Sequence, residues 1–306
     1  MHQITIPENS SSNCFDSVIY SLLKYWKFDF ELYNVKYFYT DYFSNISTSI
    51  NRGKIYDDIL KDIYNIDLIF VAREETYNLH DIVCDLLRSI PVGIGIDPYH
   101  CHWSPFYNKT HFSHLILIVG IDYLDKKYIC FDVHFNEVGY VKVDFEIINK
   151  HFKYYTTFCL KETTNVKLDI IMNKIKYAVD NFDTDLSSKK TAMMNYLINT
   201  DRKSLFSEYI VTSPLLIELL WIYEDKRNFP TALRYIENKV KIKAFSSVYE
   251  LLSASEKSFL LLKSVLIKYA MSGVLREEKL RDIVSHIYDT DALTIEKMRS
   301  ALKEIE

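Results

Sequence analysis

Between residues 13 and 26 apolar side chains recur at helical spacing. Val18, Leu22 and Trp26 stand four apart, with Ile19 and Leu23 beside them, which predicts an amphipathic helix opening at Asn13. A second helix is expected over residues 79–87. Beyond it the period changes. Runs at 92–96, 115–121, 128–133 and 138–143 are rich in Ile, Val, Tyr and Phe and bounded by turn residues, so they read as strands, with hairpin turns at 122–127 and 135–139. From about residue 166 onward the pattern is helical throughout, over 168–181, 189–197, 215–223, 259–272 and 295–305, with breaks near Ser213 and Pro214, at 228–230 and at Gly273. The expected architecture is α+β: residues 1–162 forming an antiparallel sheet with an N-terminal helix, then residues 163–306 as an all-α domain.

The charge pattern supports that division. Residues 1–164 carry 15 Lys+Arg against 21 Asp+Glu, and residues 165–306 carry 22 against 20. The net charge of −4 over 306 residues is too small to indicate nucleic-acid binding. With six glycines and six prolines there is no flexible linker or low-complexity stretch to set aside. No basic segment followed by an apolar run opens the chain, and the most apolar stretch, 209–223, contains Glu218 and Pro214 and is too short to span a bilayer. Five cysteines without paired spacing fit free thiols in a reducing compartment. A cytoplasmic protein that does not engage membranes is expected.

Three residues carry candidate chemistry. Cys14 falls in the first turn of the predicted N-terminal helix, where the helix dipole and any nearby imidazolium favour a thiolate; the same position also suits a small half-buried side chain. His114 opens the apolar run 115–121, and a strand holds such a ring rigidly. Asp132 sits in the otherwise apolar run 128–133, where a carboxylate is unfavourable unless something pairs with it. A hairpin turn centred near Leu124 puts Asp132 opposite Ile116 and diagonal to His114 on one face, a backbone separation of roughly 7–8 Å that side chains bridge. Nucleophile, base and orienting acid then follow the logic of a triad.

Asn13 and Cys14 at the head of a helix, His114 before an apolar strand ending in Gly120, and Asp132 on the next strand resemble the papain-fold bacteriocin-leader peptidases. They resemble more closely the butirosin biosynthesis protein H family of amide-forming acyltransferases, and a related papain-like enzyme of closthioamide-type thioamide pathways that uses a diamine. The resemblance covers residues 8–160, and the helical second half is similar to the general plan of the butirosin-type enzymes. It implies a papain-like domain in which Cys14 takes an acyl group from the phosphopantetheine thioester of an acyl or peptidyl carrier protein and passes it to a small amine. No cofactor of the enzyme's own is implied. The helical domain would shape the acceptor pocket or dock the carrier. One departure stands out. Peptidases of this kind carry a glutamine shortly before the cysteine to stabilise the oxyanion, and this chain has Glu8 there, which would repel it. Asn9, Asn13 or the Cys14 backbone N–H are the substitutes. A thioester, already activated, needs less help than a peptide bond.

Two rival readings use the same residues. A cysteine hydrolase shares the triad and differs in its acceptor. A non-catalytic binding protein on the same scaffold would leave Cys14 unreactive. His134, two residues past Asp132, either lines the site or ends the strand at the surface. The segment Tyr99, His100, Cys101, His102, Trp103 is too tightly spaced to wrap a tetrahedral zinc ion and reads as a polar loop along the cleft. The aromatic run 33–43 reads as a packed cluster or a substrate-stacking wall, and the basic run 239–243 as a solvated helix face or a surface for an acidic carrier.

Overall fold

The computed structural model describes residues 1–4, 13–39, 52–74, 78–132, 139–161, 168–182, 186–205 and 213–305. Two compact units emerge, residues 1–30 with 60–166, and residues 31–59 with 167–306. In the first unit α1 (Cys14–Tyr25) is followed, after the end of α2 (Arg52–Tyr64), by β1 (Ile66–Ala72), α3 (Leu79–Leu86), β2 (Val92–Ile96), β3 (His114–Asp122), β4 (Lys127–Phe131), β5 (Tyr140–Asp144), α4 (Phe145–His151) and β6 (Phe152–Leu160). The six strands form one antiparallel sheet in the order β1-β6-β2-β3-β4-β5. The last strand thus inserts between the first two.

Strand alternation gives the sheet two buried faces. On one, Ile94, Ile96, Ile116, Ile118 and Cys130 join Leu79 and Val83 of α3 in a core whose large side chains each contribute about 1.5–3 kcal/mol on burial. The other face, shared by Leu117, Gly93, Thr156 and Phe70 across the strands, receives α1. There Trp26 meets Phe158 and Phe15 stacks on Phe70. The helix follows the pattern expected of it, burying Val18, Ile19, Leu22 and Leu23.

The second unit contains α5 (Leu168–Asp180), α6 (Leu186–Ile198), α7 (Arg202–Leu205), α8 (Pro214–Val240), α9 (Ser246–Ser272) and α10 (Glu277–Ile305). Pro214 starts α8 and Gly273, in the left-handed region at φ 76°, ends α9, as expected from their residue types. The break expected at 228–230 does not occur: Pro230 lies inside α8. Its ring removes one backbone hydrogen bond, yet Phe229, Ala232, Leu233 and Ile236 are buried on both sides of it and hold the helix continuous. Residues 31–59 join this unit rather than the sheet, because the 3₁₀ segment Phe30–Tyr39 buries Leu32, Tyr33 and Lys36, the last paired with Asp225 of α8 at 3.1 Å. Tyr33 of the aromatic run is therefore a packed residue. Lys239, Lys241 and Lys243 are exposed at the end of α8, as a solvated face requires. Among the described residues no helix is long and apolar enough to cross a membrane.

Candidate active site

Asn13 caps α1 from an extended backbone, its side-chain oxygen accepting the Phe15 N–H at 2.8 Å and its carbonyl accepting from Ser17. That cap makes Cys14 the first helical residue, half-buried, with its side chain hydrogen-bonded to His114. Asn13 Oδ1 is thus committed to the helix end. Glu8, Asn9 and His134 lie outside the described residues.

His114 begins β3 opposite Ile96 of β2. The β3–β4 hairpin turns through residues 123–126, and uninterrupted pairing from Asp122 and Lys127 would put Asp132 opposite Leu117, on the wrong face. An irregularity at Val119 shifts the register so that Leu117 faces Phe131. The next position brings Asp132 to the face of Ile116 and His114. The two side chains meet there: His114 Nε2 donates to Asp132 Oδ2 at 2.9 Å, both 1% exposed. Burial opposes a charge on the His114 ring, but the Asp132 carboxylate, through its charge and its hydrogen bond, outweighs burial, and Cys14 adds to it; the ring is pushed up to about 10. With Nε2 given to Asp132, the other ring nitrogen is the one available to Cys14.

Cys101 and Cys130 are held as neutral thiols, by burial first and then by the charge of Asp132. All five cysteines are free of disulfides.

Two further residues frame the site, neither of them assigned a role by the sequence patterns. Trp103 Nε1 donates to the same Asp132 Oδ2 at 2.8 Å. It comes from the loop between β2 and β3, whose neck is closed where Asp97 accepts the Tyr99 N–H at 3.1 Å, meets His111 Nδ1 at 3.0 Å and lies 3.3 Å from Lys153 Nζ. Tyr99 and His111 stack at 4.1 Å. Among the described residues no three ligand-type side chains gather to hold a metal ion. The second residue is Tyr154, paired with Gly95 across β6 and β2. Its ring occupies the space a Gly95 side chain would fill, since a Cβ there would lie 2.3 Å from the ring. Burial raises the Tyr154 hydroxyl, a hydrogen bond from Ser113 lowers it, and a charge at Cys14 raises it, with a net shift upward that keeps it a donor. For Tyr154 the local signal is Gly95, since a glycine inside a strand marks a close approach by another group.

Neither the family models nor the curated proteins compared with this chain match it.

Proposed function

We propose that the protein is a cysteine-dependent acyltransferase with a papain-like catalytic unit, forming amides from a thioester donor and a small amine. One observation carries the reading: a buried His114–Asp132 pair faces a half-buried cysteine at the start of a helix. In the first step the Cys14 thiolate attacks the donor carbonyl, a Cys14–acyl bond forms and the bond to the donor sulfur breaks. The departing thiolate takes a proton from the His114 imidazolium. In the second step the amine attacks the acyl-Cys14, neutral His114 accepts the proton lost from nitrogen, and Cys14 leaves as thiolate. Atoms and charges balance without a nucleotide or redox cofactor, because the thioester supplies the driving force. Asp132 stays ionised and orients the ring.

A phosphopantetheine-linked acyl or peptidyl carrier protein in the cytoplasm is the proposed donor, and a monoamine or diamine the acceptor. Tyr154, a neutral hydroxyl near Cys14, suits the role of a donor to the developing oxyanion.

The test is intact-mass spectrometry of the full chain with acyl thioesters, beside Cys14→Ala, with and without diamines. The reading predicts an acyl increment that needs Cys14 and that amines discharge as amide. Decay of that adduct to free acid alone, amines notwithstanding, replaces the transferase by a hydrolase. A wild-type chain that never acylates, from free thioesters or from a loaded carrier, defeats both.

A further inference from the structure

Asp132 Oδ2 accepts two hydrogen bonds, from His114 Nε2 at 2.9 Å and from Trp103 Nε1 at 2.8 Å. A carboxylate held by its histidine alone can turn about its last torsion and offer either oxygen, and the ring follows it. A second donor on the same oxygen restricts that freedom. An indole N–H suits the task because it only donates, carries no titrating proton and sits on a rigid ring. We propose that Trp103 is a positioning residue of this site, fixing Asp132 so that His114 keeps one nitrogen on the carboxylate and turns the other toward Cys14. The inference rests on the triad reading above.

The loop that delivers Trp103 is built to place it. Ile96 and His114 are paired neighbours, so residues 97–113 leave and return at one point. Asp97, His111 and Lys153 close the neck, and the Asn108 N–H bonds to the Tyr99 carbonyl at 3.0 Å within the loop. Ser104 N–H bonds to the Cys101 carbonyl at 2.8 Å, turning the chain around Trp103 itself. Trp103 packs at the edge of the core that contains Ile96, Cys101, Ile116 and Cys130. The loop thereby presents the indole N–H to an acid just past the end of β4, 29 residues further on.

Two variants test this in the full chain: Trp103→Phe, and site-specific replacement of the indole by its benzothiophene isostere, which keeps the ring size and removes only the N–H. Two readouts are needed. The first is the rate of Cys14 acylation by an acyl N-acetylcysteamine thioester. The second is the His114 ring resonance followed against pH in histidine-labelled protein by nuclear magnetic resonance. Loss of the N–H should slow acylation by roughly ten- to a hundredfold, the worth of one hydrogen bond to a charged group. The His114 midpoint should move upward, because a positive dipole that competes for Oδ2 has gone. Slower acylation with an unmoved His114 midpoint would mean a merely structural tryptophan and would overturn the inference, as would wild-type rates in the isostere. Failure of the unaltered protein to acylate at Cys14 defeats the proposed function instead, and the magnetic resonance readout then decides on Trp103 alone.

Discussion

His114 Nε2 and Asp132 Oδ2 are 2.9 Å apart with both side chains 1% exposed. A charged pair this deep links folding to pH. Burial alone would lower His114, yet Asp132 brings it up to about 10 in the folded chain, against roughly 6.5 when unfolded. A folded value above the unfolded one means stability that is fully present below pH ~6.5 and is lost as pH rises through about 10. Urea unfolding of the wild type should therefore weaken across that window relative to Asp132→Asn, in which the cause of the shift is gone. Near neutral pH the variant should be less stable by about 3 kcal/mol or more, because one partner of a buried pair remains. Parallel stability curves for the two proteins between pH 6 and 10 would contradict the charged pair.

Gly95 and Tyr154 should behave as a coupled unit. A methyl at Gly95 meets the Tyr154 ring at 2.3 Å, and that ring is also held by Phe70 at 5.8 Å, edge to face. Gly95→Ala should destabilise the first unit by about 1–3 kcal/mol, the usual range for forced overpacking. Tyr154→Ala removes the obstacle, so the double variant should be more stable than the sum of the two changes predicts. Additive effects in a double-mutant cycle would mean that the ring does not fill the glycine notch.

How much of this was readable beforehand divides along physical lines. Helix α1 and the β3–β4 hairpin have strong local signals, a 3.6-residue period and apolar runs around a turn, and both appear where expected. The His114–Asp132 contact was also expected, although the register irregularity at Val119 that brings it about leaves no local mark. Strands β1 and β6 carry no comparable local signal. β1 lies at the sheet edge, and β6 is placed by pairing with β1 and β2, far away in sequence, rather than by its own pattern. For Trp103 the loop is legible but the contact is not: a single indole in a loop has no periodicity, and its role exists only once Asp132 is beside it.

The loop neck gives a second pH-dependent expectation, of opposite sign. Burial works to raise Asp97, but the hydrogen bond with His111, the Tyr99 N–H and Lys153 outweigh it and hold the carboxyl below its usual value of 3.8. A lowered folded value means stabilisation that is present above the unfolded value and is lost as pH falls through the folded one. At neutral pH the clasp is intact. Asp97→Asn should loosen residues 97–113, read as faster amide exchange at Tyr99, His100 and Asn108, with slower Cys14 acylation following from a less well-placed Trp103. Unchanged exchange at those amides would show that the neck is held without the carboxylate.

The helical unit makes the last prediction, independent of any catalysis. Lys226 Nζ and Asp291 Oδ1 are 2.6 Å apart with side chains 0% and 3% exposed, and Ser255 donates to the same oxygen at 2.9 Å. The Lys226 ammonium also stands 5.3 Å from the centre of the Phe259 ring. Asp225, one residue earlier on α8, pairs with Lys36, so successive residues meet opposite charges arriving from different elements. Two charges taken out of water are stabilised in large part by each other, and removing one exposes the desolvation cost of the other. Asp291→Ala should destabilise the unit by about 3–5 kcal/mol, whereas Lys226→Met combined with Asp291→Leu should recover most of that loss. Because two units need not unfold together, amide exchange within α8, α9 and α10 is the measurement to use rather than a global melt. A double variant as unstable as Asp291→Ala would mean that the pair contributes through geometry specific to its hydrogen bonds, with Ser255 as the partner to vary next.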